Sequence, residues 1–218
     1  MDSSISTGNP QLIVLSGPSG VGKDAVISKM QEIGSNCHFA VTMTTRKIRN
    51  GEVNEKDYFF VSESEFQKLL SSNRLLEWAE VYGNHYGVPK QPVSNALSSG
   101  LDVVLKIDVQ GARTIKKIAP KALFIFLSPP DLSDLEKRLR DRMTESEEAL
   151  RLRLETAISE MSESTWFDYE VENANGQLED AVSQIDKIIR NNRLRRRTIR
   201  YLFLSRFTFN RASIMTIL

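Results

Sequence analysis

A glycine-rich stretch near the amino terminus has the spacing of a phosphate-binding loop. In SGPSGVGKDA, Gly17, Gly22 and Lys23 fit the pattern G-x-x-x-x-G-K-[ST]. Glycines let the backbone turn so that successive N–H groups point at phosphate oxygens, and the lysine adds positive charge toward the outer phosphates. An apolar run, QLIVLSG, leads into the loop as a buried strand would, and a helical pattern follows. The sequence therefore predicts a nucleotide phosphate site at Gly17, Pro18, Ser19, Gly20, Val21, Gly22, Lys23 and Asp24.

Asp24 departs from this pattern, which places a serine or threonine hydroxyl after the lysine to contact Mg²⁺. A carboxylate oxygen is also a magnesium ligand, directly or through a water molecule, but it adds negative charge beside the polyphosphate. Aspartate at the start of a helix is equally favourable without any metal, because it caps the helix or complements its dipole. The sequence leaves both interpretations of Asp24 open.

A second cluster, in the stretch TMTTRKIRNGEVNEKDYFF, predicts a site for one phosphate group. Arg46 and Arg49 can each hold phosphate through two hydrogen bonds, and Glu52 lies close to both in the sequence. Tyr58 and, further along, Tyr86 add neutral hydroxyl donors. The cluster is separate from the glycine-rich loop, so it indicates a second, phosphate-bearing substrate.

Glu77, in the stretch EWAEVYGNHYG, predicts which base that substrate carries. A carboxylate accepts hydrogen bonds from the N1–H and the N2 amino group of guanine together, and adenine has no such adjacent donor pair. A wrong base would leave a buried carboxylate unpaired, which is costly. Glu77 therefore favours guanine over adenine.

Apolar segments alternate with helical patterns along most of the chain. The predicted buried strands are QLIVLSG, CHFAVTMTTR, LDVVLKIDVQG, ALFIFLSPP and FDYEVEN. Ser62 and Glu65 form a capping box that begins a helix in SESEFQKLLSSNRLLEWAEV, whereas YGNHYGVPKQP has no regular pattern. This order predicts an α/β protein with a parallel sheet, interrupted by an inserted substrate lobe at about residues 42–90.

The carboxyl-terminal part is predicted to be mainly helical. A charged stretch over residues 131–161 has a helical pattern with a break near Met143, and QLEDAVSQIDKIIRN predicts a final helix. Residues 191–218 follow as a basic and apolar tail. We expect this tail to be disordered, with weak contact to an anionic membrane surface as the alternative.

Composition excludes several classes of protein. All 28 acidic residues precede position 190, and eight of the 29 lysines and arginines follow position 189, so the body of the chain is acidic and predicts no nucleic-acid partner. A single cysteine, Cys37, cannot form a disulfide within the chain. No apolar window is long enough to span a bilayer, and no secretory signal is evident.

Taken together, these stretches resemble the guanylate kinase family. LSGPSGVGK, TTRKIRNGEVNEKDYFF, EWAEVYGNHYG, IDVQGA, RLRDRMTESEEALRLRL and FDYEVEN occur in the order of that family and cover about residues 11–190. The resemblance implies the P-loop nucleoside monophosphate kinase fold over residues 10–190, with a GMP-binding lobe at about 42–90 and a helical lid at about 137–160. It also implies the transfer of phosphate from magnesium-bound ATP to GMP, and to dGMP, in purine nucleotide metabolism.

The resemblance also assigns roles to individual residues. Residues implied to bind GMP are Thr42, Arg46, Arg49, Glu52, Tyr58, Glu77, Tyr86, Gly87, Val88 and Asp108. Residues implied to act in catalysis are Lys23, Arg49, Arg142 and Arg153. Asn173 is implied to lie beside the adenine of ATP. Val88 stands where the family usually has a serine or threonine that touches guanine, so one hydrogen bond to the base is missing.

Two other functions remain possible on the sequence. One is a scaffold domain of the same fold that binds phosphopeptides without chemistry, although Lys23, Arg142 and Arg153 are retained here. The other is a kinase for a different nucleoside monophosphate. Val21 and Asp24 resemble the plant organelle branch of the family, which implies a chloroplast or mitochondrion, whereas a chain complete as given would be cytoplasmic. We expect a monomer.

Overall fold

The computed structural model describes residues 10–141 and 147–209 of the 218-residue chain. Within these residues, five strands form a parallel sheet in the order β2-β7-β1-β8-β9. The strands are β1 (Leu12–Ser16), β2 (Cys37–Ala40), β7 (Asp102–Lys106), β8 (Leu123–Ser128) and β9 (Tyr169–Glu172). The predicted α/β parallel sheet is confirmed.

Alternate residues of the central strand β1 face opposite layers of the fold. Ile13 and Leu15 pack into a buried apolar cluster with helices α1 (Lys23–Glu32) and α7 (Leu178–Phe209). Val14 packs into a second cluster on the other face. Because residues on a strand alternate between faces, β1 is apolar on both sides and lies at the centre of three layers.

The second layer and the lid are helical. The second layer has α3 (Lys90–Ser98) and α4 (Val109–Ile118), which contribute Val93, Ala96, Ala112 and Ile115 to the second cluster. The region predicted to form a helical lid contains α5 (Leu132–Asp141) and α6 (Glu147–Ser162), and the predicted break near Met143 lies outside the described residues. A short 3₁₀ turn, Glu163–Trp166, leads from α6 back to the sheet.

The inserted lobe is built on a second, four-stranded sheet. It has the order β4-β3-β6-β5 among the described residues, with β3 (Met43–Thr44), β4 (Phe59–Phe60), β5 (Leu75–Val81) and β6 (Asn84–Pro89). Helix α2 (Glu63–Ser71) begins at Ser62, whose side chain accepts a hydrogen bond from the Glu65 N–H in the predicted capping box.

Three predictions about the segments in and around this lobe differ from the structure. CHFAVTMTTR is not one strand but two, because β2 and β3 belong to different sheets. The segment YGNHYGVPKQP is not irregular, since it contains β6, which pairs with β5 as a hairpin. The stretch LLEWAEV forms β5 and does not continue α2. The aromatic residue Trp78 and the β-branched residue Val81 favour a strand, although the preceding residues have a helical pattern.

Helix α7 extends beyond residue 191 to Phe209, where a disordered tail was predicted. Asn192 Nδ2 donates to Gln11 Oε1 at 2.9 Å, and Arg193 Nε lies 3.6 Å from Asp102 Oδ2. These contacts attach the start of the basic segment to the sheet. Within the described residues, none of the helices combines the length and apolarity that crossing a membrane requires.

Asp102 connects the first strand, its neighbour and the last helix. Its side chain is buried, and its Oδ1 accepts from the Gln11 backbone N–H at 2.9 Å. Its Oδ2 accepts from Gln11 Nε2 at 3.3 Å and lies next to Arg193.

We expect Asp102→Ala to lower the free energy of unfolding by about 3 kcal/mol, because it leaves a buried N–H and a guanidinium without their carboxylate. Urea denaturation followed by circular dichroism measures this loss. Glu170→Ala, at an exposed position of β9, is the matched control and should change stability by less than about 0.5 kcal/mol. Equal stability of the two variants would contradict the role given to Asp102.

Candidate active site

The glycine-rich loop joins the carboxyl end of β1 to the start of α1. Gly22 has a backbone φ of 101° and is the N-cap of the helix. A Cβ atom at this position would lie 2.5 Å from Asn173 Nδ2, so both the conformation and the packing require glycine. The loop therefore has the strand–loop–helix geometry of a phosphate site.

Lys23 is folded against the loop. Its Nζ donates to the Gly17 carbonyl at 2.5 Å and to the Pro18 carbonyl at 3.1 Å. Burial lowers the pKa of Lys23 below its ordinary value, although Glu160 and Asp108 nearby act to raise it. The negative charge of a polyphosphate bound at the loop would compensate the positive charge of this ammonium group.

Across the cleft lie the four residues that the sequence predicts to bind a monophosphate as a clamp. Arg46 and Arg49 line the cleft with the two tyrosines, Tyr58 and Tyr86. The Cζ atom of Arg46 lies 5.4 Å from the centre of the Tyr58 ring, and the rings of Tyr58 and Tyr86 are 6.2 Å apart in an edge contact. Four donor groups from separate parts of the lobe thus face one space.

Glu52 supports this clamp from behind. Its carboxylate accepts two hydrogen bonds from the Arg46 guanidinium, at 2.7 and 3.0 Å, and one from the Arg49 backbone N–H at 2.8 Å. Glu52 is not among the residues that line the cleft. Its position therefore differs from that of a residue in direct contact with GMP, and it orients the arginines instead.

Glu77, Thr42 and Asp108 lie together at the inner end of the cleft. Glu77 projects from β5 and is only 4% exposed. Burial, together with the negative charge of Asp108, raises the pKa of Glu77 to about 8. A carboxyl group in this setting is poised near neutral pH, which is typical of a functional site.

The first turn of helix α4 fixes the space around Glu77. Asp108 is the N-cap of α4, and its Oδ1 accepts from the Gly111 N–H at 2.8 Å. A Cβ atom on Gly111 would lie 2.5 Å from Glu77 Oε2 and 3.0 Å from Glu77 Cδ. Glycine at position 111 is therefore what leaves room for the carboxylate.

Besides Glu52, four predicted site residues that the structure describes do not line the cleft: Gly17, Gly87, Val88 and Asn173. Gly87 and Val88 are buried within β6, and Val88 packs into the apolar core, so no side chain from this pair faces a base. Asn173 is also buried, and its Nδ2 donates to the Val21 carbonyl at 2.8 Å. Asn173 thus braces the phosphate loop from behind.

Helix α6 lies along one side of the cleft. Arg153 of α6 lines the cleft, and its Cζ lies 4.9 Å from the centre of the Tyr82 ring. Glu160, on the same helix, accepts a hydrogen bond at Oε2 from the Ser19 N–H of the phosphate loop at 3.1 Å. Burial raises the pKa of Glu160, although Lys23 acts to lower it. Arg142 lies outside the described residues.

Asp24 is neither the helix cap nor an isolated carboxylate. The N-cap is Gly22, and Asp24 lies in the first turn. Its Oδ1 lies 2.5 Å from Lys106 Nζ and 3.5 Å from the Tyr58 hydroxyl. Among the described residues there is no group of three or more His, Cys, Asp or Glu side chains that could hold a metal ion.

Six residues that line the cleft were not predicted from the sequence: Val81, Tyr82, Asn84, Lys106, Ile107 and Glu160. Lys106 precedes Asp108 by two residues and Glu160 follows Arg153 by seven, so strand and helix periodicity place each near a residue that was identified. Tyr82 begins the tight turn between β5 and β6, with a positive φ of 50°, and was missed together with that hairpin.

The fold and the cleft define a class of protein: a P-loop phosphotransferase with a separate lobe for a small acceptor that carries a phosphate. The model of one family, guanylate kinase, matches residues 9–192, and the chain belongs to that family.

Individual relatives agree with this assignment. A guanylate kinase of Carboxydothermus hydrogenoformans is 39% identical over 88% of this chain and 94% of its own length. Guanylate kinase 2, chloroplastic/mitochondrial, of Oryza sativa subsp. japonica is 46% identical over 83% of this chain, which covers 64% of that protein. The crystal structure of guanylate kinase from Anaplasma phagocytophilum superposes with a TM-score of 0.70, at 32% identity, over 87% of this chain and 89% of that one. The predicted fold class and family are confirmed.

Replacing Gly111 tests the space that surrounds Glu77. We expect Gly111→Ala to raise the dissociation constant for GMP at least tenfold, because the added methyl group displaces the Glu77 carboxylate from the cleft. Titration calorimetry measures this constant. The affinity for ATP should stay within twofold of the wild-type value.

Gln110→Ala, at the exposed neighbouring position, is the control and should leave GMP binding within twofold of wild type. Wild-type GMP affinity in Gly111→Ala would show that Glu77 does not need its present position.

Proposed function

We propose that this guanylate kinase transfers the terminal phosphoryl group of ATP to GMP in the cleft between the phosphate loop and the inserted lobe. The observation that carries this proposal is the buried Glu77 carboxylate, which lies in the same cleft as the loop and the Arg46–Arg49 clamp. A cleft with two phosphate-binding sets and one base-selecting carboxylate fits two nucleotides. The sites below are part of the proposal.

Glu77 is proposed to select guanine. Its two oxygens accept from the N1–H and the N2 amino group, while Thr42 and Asp108 lie alongside for the remaining polar edge of the base. Adenine would leave the buried carboxylate without hydrogen-bond donors, and the free-energy cost of that unpaired group would weaken the binding of adenine nucleotides. Val88, buried in the core, contributes shape and no hydrogen bond.

The phosphates are proposed to be held from both sides. Arg46, Arg49, Tyr58 and Tyr86 bind the phosphate of GMP, and Lys23 with the backbone N–H groups of the loop binds those of ATP. Arg153 and Arg142 neutralise charge on the phosphoryl group while it is transferred. Phosphoryl transfer depends mainly on such positioning and charge stabilisation, so no general base is required.

Magnesium is proposed to enter as part of the ATP substrate. The described residues do not fit a resident magnesium site of their own, because the carboxylate at the usual hydroxyl position, Asp24, is engaged by Lys106. ATP phosphates are themselves strong magnesium ligands. The contribution of this chain is therefore to bind and orient the magnesium-bound nucleotide through the loop.

The pKa of Glu77 predicts how GMP binding depends on pH. With a pKa of about 8, the carboxyl group is protonated at pH 6 and must lose its proton to accept two hydrogen bonds from guanine. We expect GMP affinity to rise between pH 6 and pH 8, by at most about tenfold per pH unit, and to level off above pH 8. Calorimetry in buffers of different ionisation enthalpy measures the released proton.

Glu77→Gln is the matched variant, because it keeps the shape and removes the titration. It should bind GMP at least about 100-fold more weakly at pH 8 and lose the part of the pH dependence that belongs to Glu77. A folded pKa above the ordinary 4.5 means that stability is lost as pH rises through about 8. The variant should therefore gain stability relative to wild type from pH 5 to 8, and parallel curves would contradict this.

The activity itself is tested by offering the full chain magnesium-bound ATP with GMP, dGMP, AMP, UMP or dTMP and measuring ADP release. We expect turnover with GMP and dGMP only. Turnover with another nucleotide would assign a different monophosphate kinase. GMP binding without turnover would favour the phosphopeptide-binding alternative, in which the cleft recognises a phosphate and performs no chemistry.

Three finer points stay proposals. The plant relative supports a chloroplast or mitochondrion as the compartment, although bacterial relatives are of similar identity. A monomer is proposed because the cleft is formed by residues of one chain. Weak contact of the basic segment after residue 191 with an anionic membrane surface remains a prediction.

A further inference from the structure

Lys106 lies where the two phosphate-binding sets meet. It is the last residue of β7 and pairs with Leu15 of β1, one residue before that strand ends, so it stands at the carboxyl edge of the sheet. Its side chain is only 12% exposed and lines the cleft. None of the roles described above uses it.

The ammonium of Lys106 contacts both sides of the cleft. Its Nζ is 2.5 Å from Asp24 Oδ1, in the first turn after the phosphate loop. It is also 4.2 Å from the centre of the Tyr58 ring, in the acceptor lobe. Tyr58 in turn lies against the Arg46 guanidinium. A single positive charge therefore connects the donor loop to the acceptor clamp.

Lys106 keeps this charge in spite of its burial. Burial alone would lower the pKa of Lys106, but Tyr58 and Asp24 raise it above the ordinary value. Asp24 supplies the carboxylate that makes a buried ammonium tolerable, because an unpaired charge there would be strongly unfavourable. The pair also explains the departure in the loop, since Lys106 offsets the negative charge that Asp24 adds beside the phosphates.

We propose that Lys106 is a further phosphate-binding residue of this enzyme, which Asp24 positions beside Tyr58 to bind the phosphate of GMP. The proposal rests on the proposed function, because it deepens the assignment of the same cleft. Asp24 is then a positioning residue for Lys106 and not a ligand of magnesium. A merely structural tie between α1 and β7 would use the same ion pair but would make no contact with substrate.

The test compares four variants of the full chain: Lys106→Met, Lys106→Arg, Asp24→Asn and the double variant that combines Lys106→Met with Asp24→Asn. The direct readout is the dissociation constant for GMP, measured by titration calorimetry without ATP or magnesium. We expect Lys106→Met to raise this constant about tenfold or more and Lys106→Arg to stay within threefold of wild type, because arginine keeps the charge. Lys121→Met, at an exposed position, is the control and should leave the constant unchanged.

The Asp24→Asn variant distinguishes a residue that positions Lys106 from a residue that binds magnesium. We expect Asp24→Asn to weaken GMP binding in the same direction as Lys106→Met but to a smaller extent, and the magnesium concentration for half-maximal turnover to stay within twofold. The double variant removes both charges together, so it serves if the single Lys106→Met chain does not fold. It should also bind GMP about tenfold more weakly than wild type, and no more weakly than Lys106→Met.

A dissociation constant within twofold of wild type in a folded Lys106→Met or double variant would overturn the proposal, even if the melting temperature falls. A raised magnesium requirement in Asp24→Asn with unchanged GMP affinity would also overturn it. Failure of the proposed function is distinguishable: a wild-type chain that binds GMP without releasing ADP contradicts the activity, while the comparison of GMP affinities still decides the role of Lys106.

Discussion

The parallel pairing of β1 with β7 is the constraint on which the active site depends. In the observed register Leu15 lies opposite Lys106, so the phosphate loop that follows β1 and the polar residues that follow β7 leave the sheet side by side. Because side chains alternate along a strand, a slip of one residue would turn Lys106 away from the loop and move each apolar residue of β7 from one packed face of the sheet to the other. Burial of both strands on both faces excludes such a slip.

Three of the described cations that line the cleft have a carboxylate nearby. Arg46 is held by Glu52, Lys106 by Asp24, and Lys23 lies in the field of Glu160 and Asp108. Positive charge that is buried without partners would destabilise the fold, and exposed side chains would lose entropy when a substrate bound them. The internal carboxylates therefore keep the donors in place, which leaves the phosphates to bind groups that are already oriented.

The sequence predicted those parts of the site that local pattern determines. The loop at Gly17 to Lys23, the capping box at Ser62 and the apolar strands follow from spacing and periodicity, which act over a few residues. The split between β2 and β3 could not be predicted in this way, because both segments have strand character and only the topology sends them to different sheets.

Contacts that depend on tertiary structure could not be predicted from the sequence either. Asn173 lies behind the loop, and Glu52 behind the clamp, because of how distant segments pack and not because of their own residue types. Glu77 could be identified from its chemistry, but its closeness to Gly111 depends on the contact of α4 with β5.

In the phosphate loop, the Ser19 N–H donates a hydrogen bond to a carboxylate of the protein, that of Glu160. A nucleotide phosphate bound at the loop, as proposed, would compete with this carboxylate for the Ser19 N–H. Arg153 is on the same helix as Glu160, seven residues earlier, and therefore on the same face. Because both residues lie on α6, a movement of this helix that separated Glu160 from Ser19 would also shift Arg153 relative to the cleft. The position of this helix is therefore linked to a hydrogen-bond donor of the loop.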